Sequence, residues 1–429
     1  MKPYKEMNKE ELMLLKEEIE KKFEEAKSKG LKLDMSRGKQ STAQLDMTMS
    51  IMDVFNSDSI LKTENGMDCR NYGLMDGIPE VKRLLGDMMG VPAQNVLVYG
   101  NSSLSVMYDT VCHSMTHGVM GSTPWCKLDK VKFLCPVPGY DRHFKITEYF
   151  GIEMINIPMT ADGPDMDLVE KYVNEDAAVK GIWCVPKYSN PQGISYSDET
   201  VRRFANLKPA AEDFRIYWDN AYAVHHLYDD KQDEILEILS ECEKAGNPNI
   251  VFEFCSTSKV SFAGGGIAGM AASIANLDYV REGMTVRTIG YDKVNQLRHV
   301  KYFKDINGIK EHMKKHAEII RPKFEAVLQV LDKEIGGLGI GEWNKPVGGY
   351  FISFEALEGC AKAIVAKCKE AGVVMTGAGA TYPYGKDPKD SNIRIAPTFP
   401  TPEEMAAATD LFVLCVKLVS VKKLLGETL

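Results

Sequence analysis

The chain has 429 residues, 44 % of them hydrophobic and 26 % charged, and a formal net charge of −8. This is the composition of a globular α/β-sized protein with room for an extended core and more than one domain. The acidic balance argues against nucleic acid as a partner, and short basic pairs such as Lys314 and Lys315 read as solvated helix faces.

Residues 8–28 carry Leu12, Leu15, Ile19 and Phe23 at helical spacing, with Asn8 as N-cap, Glu11 three residues on and Gly30 after the end. That pattern predicts an amphipathic helix. The irregular stretch Leu33–Ser41 follows, with Gly38 between Arg37 and Lys39. It reads either as a carboxylate-binding loop or as an exposed turn.

From Tyr72 to about Ser273, strand-like runs alternate with helical patterns, which predicts a mostly parallel sheet covered on both faces. The expected strands are 95–99, 132–137, 152–157, 181–185, 214–218, 250–255 and 267–273. Helices are expected at 79–90, 101–117, 139–150, 165–175, 198–207 and 231–245. Ligands of such sheets sit outside the carboxyl ends of the strands, so the residues just after each strand carry the information.

The first strand is followed by Gly100-Asn101-Ser102-Ser103, a glycine turn opening a helix and so an anion site of N–H groups and hydroxyls. After the second comes Pro138-Gly139-Tyr140, and after the fourth Ser189-Asn190-Pro191-Gln192-Gly193, where Asn190 is placed to hydrogen-bond a ligand oxygen. The fifth presents Asp219 and Tyr222. The sixth ends in Ser256-Thr257-Ser258-Lys259, ahead of Gly264, Gly265 and Gly266. A lysine delivered to a partly desolvated pocket beside hydroxyls and free N–H groups suggests a nucleophilic amine next to a bound anion. Taken singly, SNPQG is a good turn, Tyr140 an ordinary core residue and Asp219 a helix cap. Their collection at one end of one sheet is what points to a site.

Beyond about residue 300, helical patterns at 308–332, 356–371 and 402–425 surround short strands at 348–354, 373–376 and 392–396, a smaller α+β domain. Arg394 lies in the last of these, and its guanidinium needs either a structural ion pair or a substrate carboxylate. No apolar run reaches the roughly 20 residues of a membrane helix, because even Leu411–Val421 is broken by Lys417. The charged N-terminus lacks a secretory pattern, so the cytoplasm is expected, with no membrane partner. The 10 cysteines form no C-x-x-C pair and read as reduced core residues. His113/His117 and His312/His316 have one-turn spacing without the H-E-x-x-H glutamate, and no metal site is expected.

The order N-P-Q-G, then a strand ending D-x-x-Y, then S-x-S-K resembles the fold type I pyridoxal-phosphate enzymes, specifically class I aminotransferases, over nearly the whole chain. The DMSRGKQS start and the YDRHF segment are similar to the divergent aspartate aminotransferase subgroup. The resemblance implies the PLP-dependent transferase fold type I: a large domain with a mostly parallel seven-stranded sheet between helices (48–320), a small α+β domain (321–429), and residues 1–47 joining the small domain. It implies pyridoxal 5'-phosphate as cofactor and a ping-pong transfer through a Schiff base at Lys259, with Asp219 on the pyridine nitrogen and Tyr222 and Asn190 on the ring hydroxyl. Tyr140 would stack on the ring, while Ser102, Ser103, Ser256 and Ser258 hold the phosphate. Tyr72 would reach in from the second subunit of a homodimer whose active site lies at the subunit interface. Gly38, Asn190 and Arg394 would bind the substrate, Arg394 at its α-carboxylate.

The resemblance has one gap. Its members carry a phosphate-binding arginine about eight residues past the lysine, where this chain reads SFAGGGIAGM. The implied reaction moves an amino group from an L-amino acid, aspartate first, to 2-oxoglutarate. A donor such as alanine, or a lyase reaction, is the alternative. Arg37, Lys39, Arg287 and Arg298 are the candidates for a second substrate carboxylate. A nicotinamide dehydrogenase reading of Gly264–Gly269 is disfavoured because a lysine and two serines separate strand from glycines and no helix pattern follows. A non-catalytic sensor domain is disfavoured because both the lysine and the aspartate are present.

Overall fold

The structure is a computed structural model that describes residues 2–429. Its centre is an eight-stranded sheet whose strands we number in chain order: β1 (Val96–Val98), β2 (Lys132–Val137), β3 (Glu153–Thr160), β4 (Gly163–Pro164), β5 (Val179–Cys184), β6 (Arg215–Asp219), β7 (Val251–Ser256) and β8 (Ala268–Ala271). The spatial order is β1-β8-β7-β6-β5-β2-β3-β4. All seven expected strands are present, and the two-residue β4 adds an eighth at the edge. Neighbours from β7 through β6, β5 and β2 to β3 are parallel, while β8 and β4 run antiparallel to theirs. Strands β5 and β6 are buried at every position, as a sheet covered on both faces requires.

The N-terminal helix Lys9–Ser28 begins with the expected capping box between Asn8 and Glu11 and buries Leu12, Ile19 and Phe23. That face packs in one core with Leu331, Ile393 and Phe412 from the C-terminal part of the chain. Leu33–Asp34 then pairs in parallel with Val373–Val374. A three-stranded antiparallel sheet, Gly341–Trp343, Ile352–Ala356 and Asn392–Ile395, lies between the long helices Ile306–Glu334 and Pro402–Leu424 in sequence. Position 320 falls inside the unbroken helix Ile306–Glu334.

The elements differ from expectation in a few places. The helix expected at 231–245 is confined to Ile238–Lys244, because the carboxylate of Glu237 takes the N–H groups of Leu239 and Ser240 and starts the helix there. Helices Thr42–Thr48, Ile274–Arg287 and Lys293–Phe303 were not legible from periodicity. Among the described residues no helix is long and apolar enough to cross a membrane.

Candidate active site

Parallel strands bring their carboxyl ends to one edge of the sheet, and there β6 ends at Asp219 and β7 at Ser256. A cavity of about 550 Å3 opens at that edge. Its wall includes Gly38, Ser102, Ser103, Tyr140, Asn190, Asp219, Tyr222, Ser256, Ser258, Lys259 and Arg394, which are all the expected site residues except Tyr72. Tyr72 is 77 % exposed and lies outside this wall.

Asp219 is buried, and its Oδ2 lies 3.0 Å from His143 Nε2. Its Oδ1 is buried with no partner. His143 is fixed in turn by stacking on Trp183, ring centroids 4.6 Å apart, and by an edge contact with Tyr140. Such a carboxylate, oriented by an imidazole and left with one open oxygen beside a cavity, is built to receive a donor from a ligand. His143 is a site residue that the sequence reading passed over. It stands in helix Asp141–Tyr149, directly after Tyr140, where nothing in the spacing distinguishes it from a core histidine.

Lys259 is partly buried, with Nζ 4.9 Å from the centroid of the Tyr222 ring. Burial holds its ammonium below the ordinary lysine value, and the negative charge of Asp219 offsets part of that. Burial raises the Tyr222 phenol well above its ordinary value, reinforced by Tyr140 and Asp219. The main chain around the lysine is held from behind, since Gln40 Nε2 donates to the Lys259 and Ser261 carbonyls at 3.3 and 3.0 Å.

At the other end of the cavity the loop after β7 is tied to the turn after β1. Ser256 and Ser258 donate to the Asn101 carbonyl at 3.2 and 2.5 Å. Helix Ser103–His117 starts there, and Ser102, its N-cap, makes no capping bond, so that hydroxyl and the free first-turn N–H groups remain for an anion. A Cβ on Gly266 would come within 2.9 Å of Ser258 N, which explains the glycine behind this loop. The sequence gap in the arginine position is real in space: the arginines on the cavity wall are Arg37, Arg142 and Arg394.

Arg394 is 8 % exposed. Its Nη1 donates to Asp141 Oδ1 at 2.9 Å and Asn190 Oδ1 at 3.2 Å, and the guanidinium sits 4.7 Å from the Phe351 ring centroid. The ion pair with Asp141 is therefore present, yet Nε is buried without a partner. Gly38 also packs against Phe351, where a Cβ would fall 2.4 Å from the ring. Of the other cations considered, Lys39 sits over Phe399, Arg287 is paired with Asp109 at 2.6 Å and Arg298 donates to Asn295. None of these three is on the cavity wall; Arg37 and Arg142 are.

Residues 7–428 match the family model described as aspartate amino-transferase. The chain is 44 % identical over 412 residues to an aspartate aminotransferase of Corynebacterium glutamicum, covering 96 % of this chain and 95 % of that protein. A crystal structure of an aspartate transaminase from the same organism superposes with a TM-score of 0.96 at 43 % identity, over 98 % of this chain and 99 % of the other. An α-aminoadipate aminotransferase from Thermus thermophilus, complexed with N-(5'-phosphopyridoxyl)-L-leucine, shares the fold at TM-score 0.72 and 18 % identity, covering 92 % and 94 % of the two chains.

Proposed function

The chain belongs to the aspartate amino-transferase family, and from that premise we propose that it is a pyridoxal-phosphate-dependent transaminase taking L-aspartate as donor and 2-oxoglutarate as acceptor. Aminotransferases of this fold work on amino acids and 2-oxo acids with pyridoxal phosphate. The observation that carries the reading is the meeting of Lys259, Asp219 and Arg394 in one cavity, with an open oxygen on Asp219.

The residues present fit the cofactor. Asp219 would hold its ring nitrogen, with Tyr222 and Asn190 at the ring hydroxyl and Tyr140 at the ring face. Ser102, Ser103, Ser256, Ser258 and the free N–H groups of helix Ser103–His117 would hold its phosphate. When bound, it supplies an electron-accepting ring for the pair left at the substrate Cα. Asp219, oriented by His143, would set its carboxyl group against that ring nitrogen. Lys259, whose ammonium is depressed by burial, is an amine able to take the Cα proton and return it at another atom. Arg394 grips the α-carboxylate and so aims the Cα–H bond at Lys259, which makes proton transfer nearly intramolecular. Arg37 and Arg142, exposed at the wall, are the cations available to a second carboxylate.

An absorbance spectrum tests this. Protein loaded with pyridoxal phosphate is expected to show a visible band that L-aspartate bleaches and 2-oxoglutarate restores. Lys259→Ala is expected to hold no cofactor that borohydride can fix to the chain. A band indifferent to aspartate but bleached by alanine would move the donor to the alternative, and no band would overturn the reading.

A further inference from the structure

A second cavity, of about 670 Å3, lies beside the first, and consecutive residues divide between them: Asp219 lines the catalytic cavity and Asn220 the other. Its volume is within the range of small-molecule sites. Residues that decide its chemistry are Lys187, Asn220, Glu253 and Lys310. None of these four takes a role in the reaction above.

Glu253, on β7, is 1 % exposed, and its Oε1 accepts from Asn220 Nδ2 at 2.9 Å. Glu253 Oε2 and Asn220 Oδ1 are left buried with no partner. Oxygens removed from water without a hydrogen bond are destabilising, so two of them on one cavity wall mark a place for N–H donors. Burial raises the Glu253 carboxyl well above its ordinary value, reinforced by the nearby Glu237 and offset in part by the hydrogen bond from Asn220.

Cations complete the pattern. Lys187 is 8 % exposed, and its Nζ donates to the Ala223 carbonyl at 3.0 Å. Neither Lys187 nor Lys310 takes part in a salt bridge to a carboxylate among the described residues, whereas Lys314 is held by Glu311 at 2.7 Å. Burial lowers the Lys187 ammonium to about 8, so a bound anion would stabilise its charged form. His226, near Lys187 and Lys310, is depressed to about 4 and is neutral at pH 7, its Nδ1 lying 2.6 Å from Tyr188 Oη. Asp87, Asp229, Glu234, Glu237 and Glu311 are also on the wall, Glu311 paired with Lys314, which disfavours a polyanion and limits the ligand to one anionic group at the two lysines.

We propose that this cavity is a second binding site, for a small organic acid with N–H donors at one end, which meet Glu253 and Asn220, and a carboxylate at the other, which meets Lys187 and Lys310. The site uses no catalytic residue and stands whether or not the donor substrate is aspartate.

Glutaramate is the probe, because it has a primary amide and a carboxylate but no α-amino group to transfer. Calorimetric titration of the cofactor-loaded protein is expected to show binding that Lys187→Met and Glu253→Gln each weaken about tenfold, the loss of one charge-assisted or buried hydrogen bond. Arg394→Lys is expected to leave the affinity unchanged. Binding lost in Arg394→Lys and kept in Lys187→Met would place the probe in the catalytic cavity and overturn the proposal. No binding to the unaltered protein would overturn it too, meaning that Glu253 and Asn220 satisfy each other through a proton on the carboxyl. Lys187→Met, on the wall, keeps the test open if Glu253→Gln does not fold.

Discussion

Arg394 has two edges, and the structure uses them differently. Nη1 is engaged by Asp141 and Asn190, and Nε is buried and free, so the open side is the Nε/Nη2 fork that matches a carboxylate. On this reading Asp141 is a positioning residue: it holds the Nη1 end of the guanidinium and leaves Nε without a partner. Arg394→Lys replaces the fork with a point charge and is expected to raise KM for donor and acceptor alike by about a hundredfold. Asp141→Ala is expected to raise both KM values by about tenfold with kcat less affected, because the fork remains but is no longer aimed. Steady-state kinetics on the two variants check this; an unchanged KM in Asp141→Ala would reduce the ion pair to surface decoration. The sequence made Asp219, Tyr222 and Lys259 legible because each follows an apolar strand, where function collects. It did not reveal His143 or Asp141, which lie on a helix and act through a partner far away in the chain.

The helix Ile306–Glu334 carries His312 and His316 into a buried network behind the lysine. His312 Nε2 lies 3.2 Å from the Val260 carbonyl, 3.1 Å from Thr48 Oγ1 and 3.1 Å from His316 Nε2; His316 Nδ1 lies 2.9 Å from Gln44 Nε2. Burial depresses His312 to about 4 and His316 to about 3, and in a neighbouring helix His299 to about 4. These values lie below the ordinary 6.5, so on acidification the unfolded chain binds protons before the native one does. Stability from these imidazoles is therefore complete above pH 6.5 and falls as the pH drops toward 4, by about 1.4 kcal/mol per pH unit for each group in that window. Urea denaturation between pH 7 and pH 5 is expected to show a slope of this sign, to which the depressed His225, His226 and His299 add and from which the raised Glu253 carboxyl subtracts, and His312→Gln with His316→Gln is expected to lessen it without abolishing it. An unchanged slope in the double variant would assign the acid sensitivity elsewhere. Those same residues explain why some helices were illegible. Lys293–Phe303 buries Lys293, Gln296 and His299 alongside Leu297 and Phe303, so its inward face does not read as apolar. The terminal helix Lys9–Ser28 has an apolar inward face and an exposed charged one, and was legible end to end.

At the scale of the molecule, the site contains every expected residue but one. Tyr72 is exposed, and around it the chain leaves further apolar surface: Val286 is 90 % and Ile289 63 % exposed. These belong to one region, since a Cβ on Gly290 would meet the Gly73 carbonyl at 2.9 Å. Exposed apolar clusters of this kind mark association surfaces. We propose a homodimer formed through this face, with Tyr72 of one subunit completing the phosphate end of the other's cavity, and a division into residues 48–320 and 321–429 with 1–47 joining the latter. If so, light scattering gives twice the chain mass of 47.8 kDa at catalytic concentrations. Tyr72→Phe then weakens cofactor affinity about tenfold, the loss of one hydrogen bond to a charged group, without altering the mass. Val286→Glu with Ile289→Glu places like charges in the proposed interface and is expected to yield monomers that lose cofactor by the same mechanism. Monomers that retain cofactor as the unaltered protein does would show that each chain builds its phosphate site alone, from Ser102, Ser103, Ser256, Ser258 and the helix N-terminus already in its own cavity.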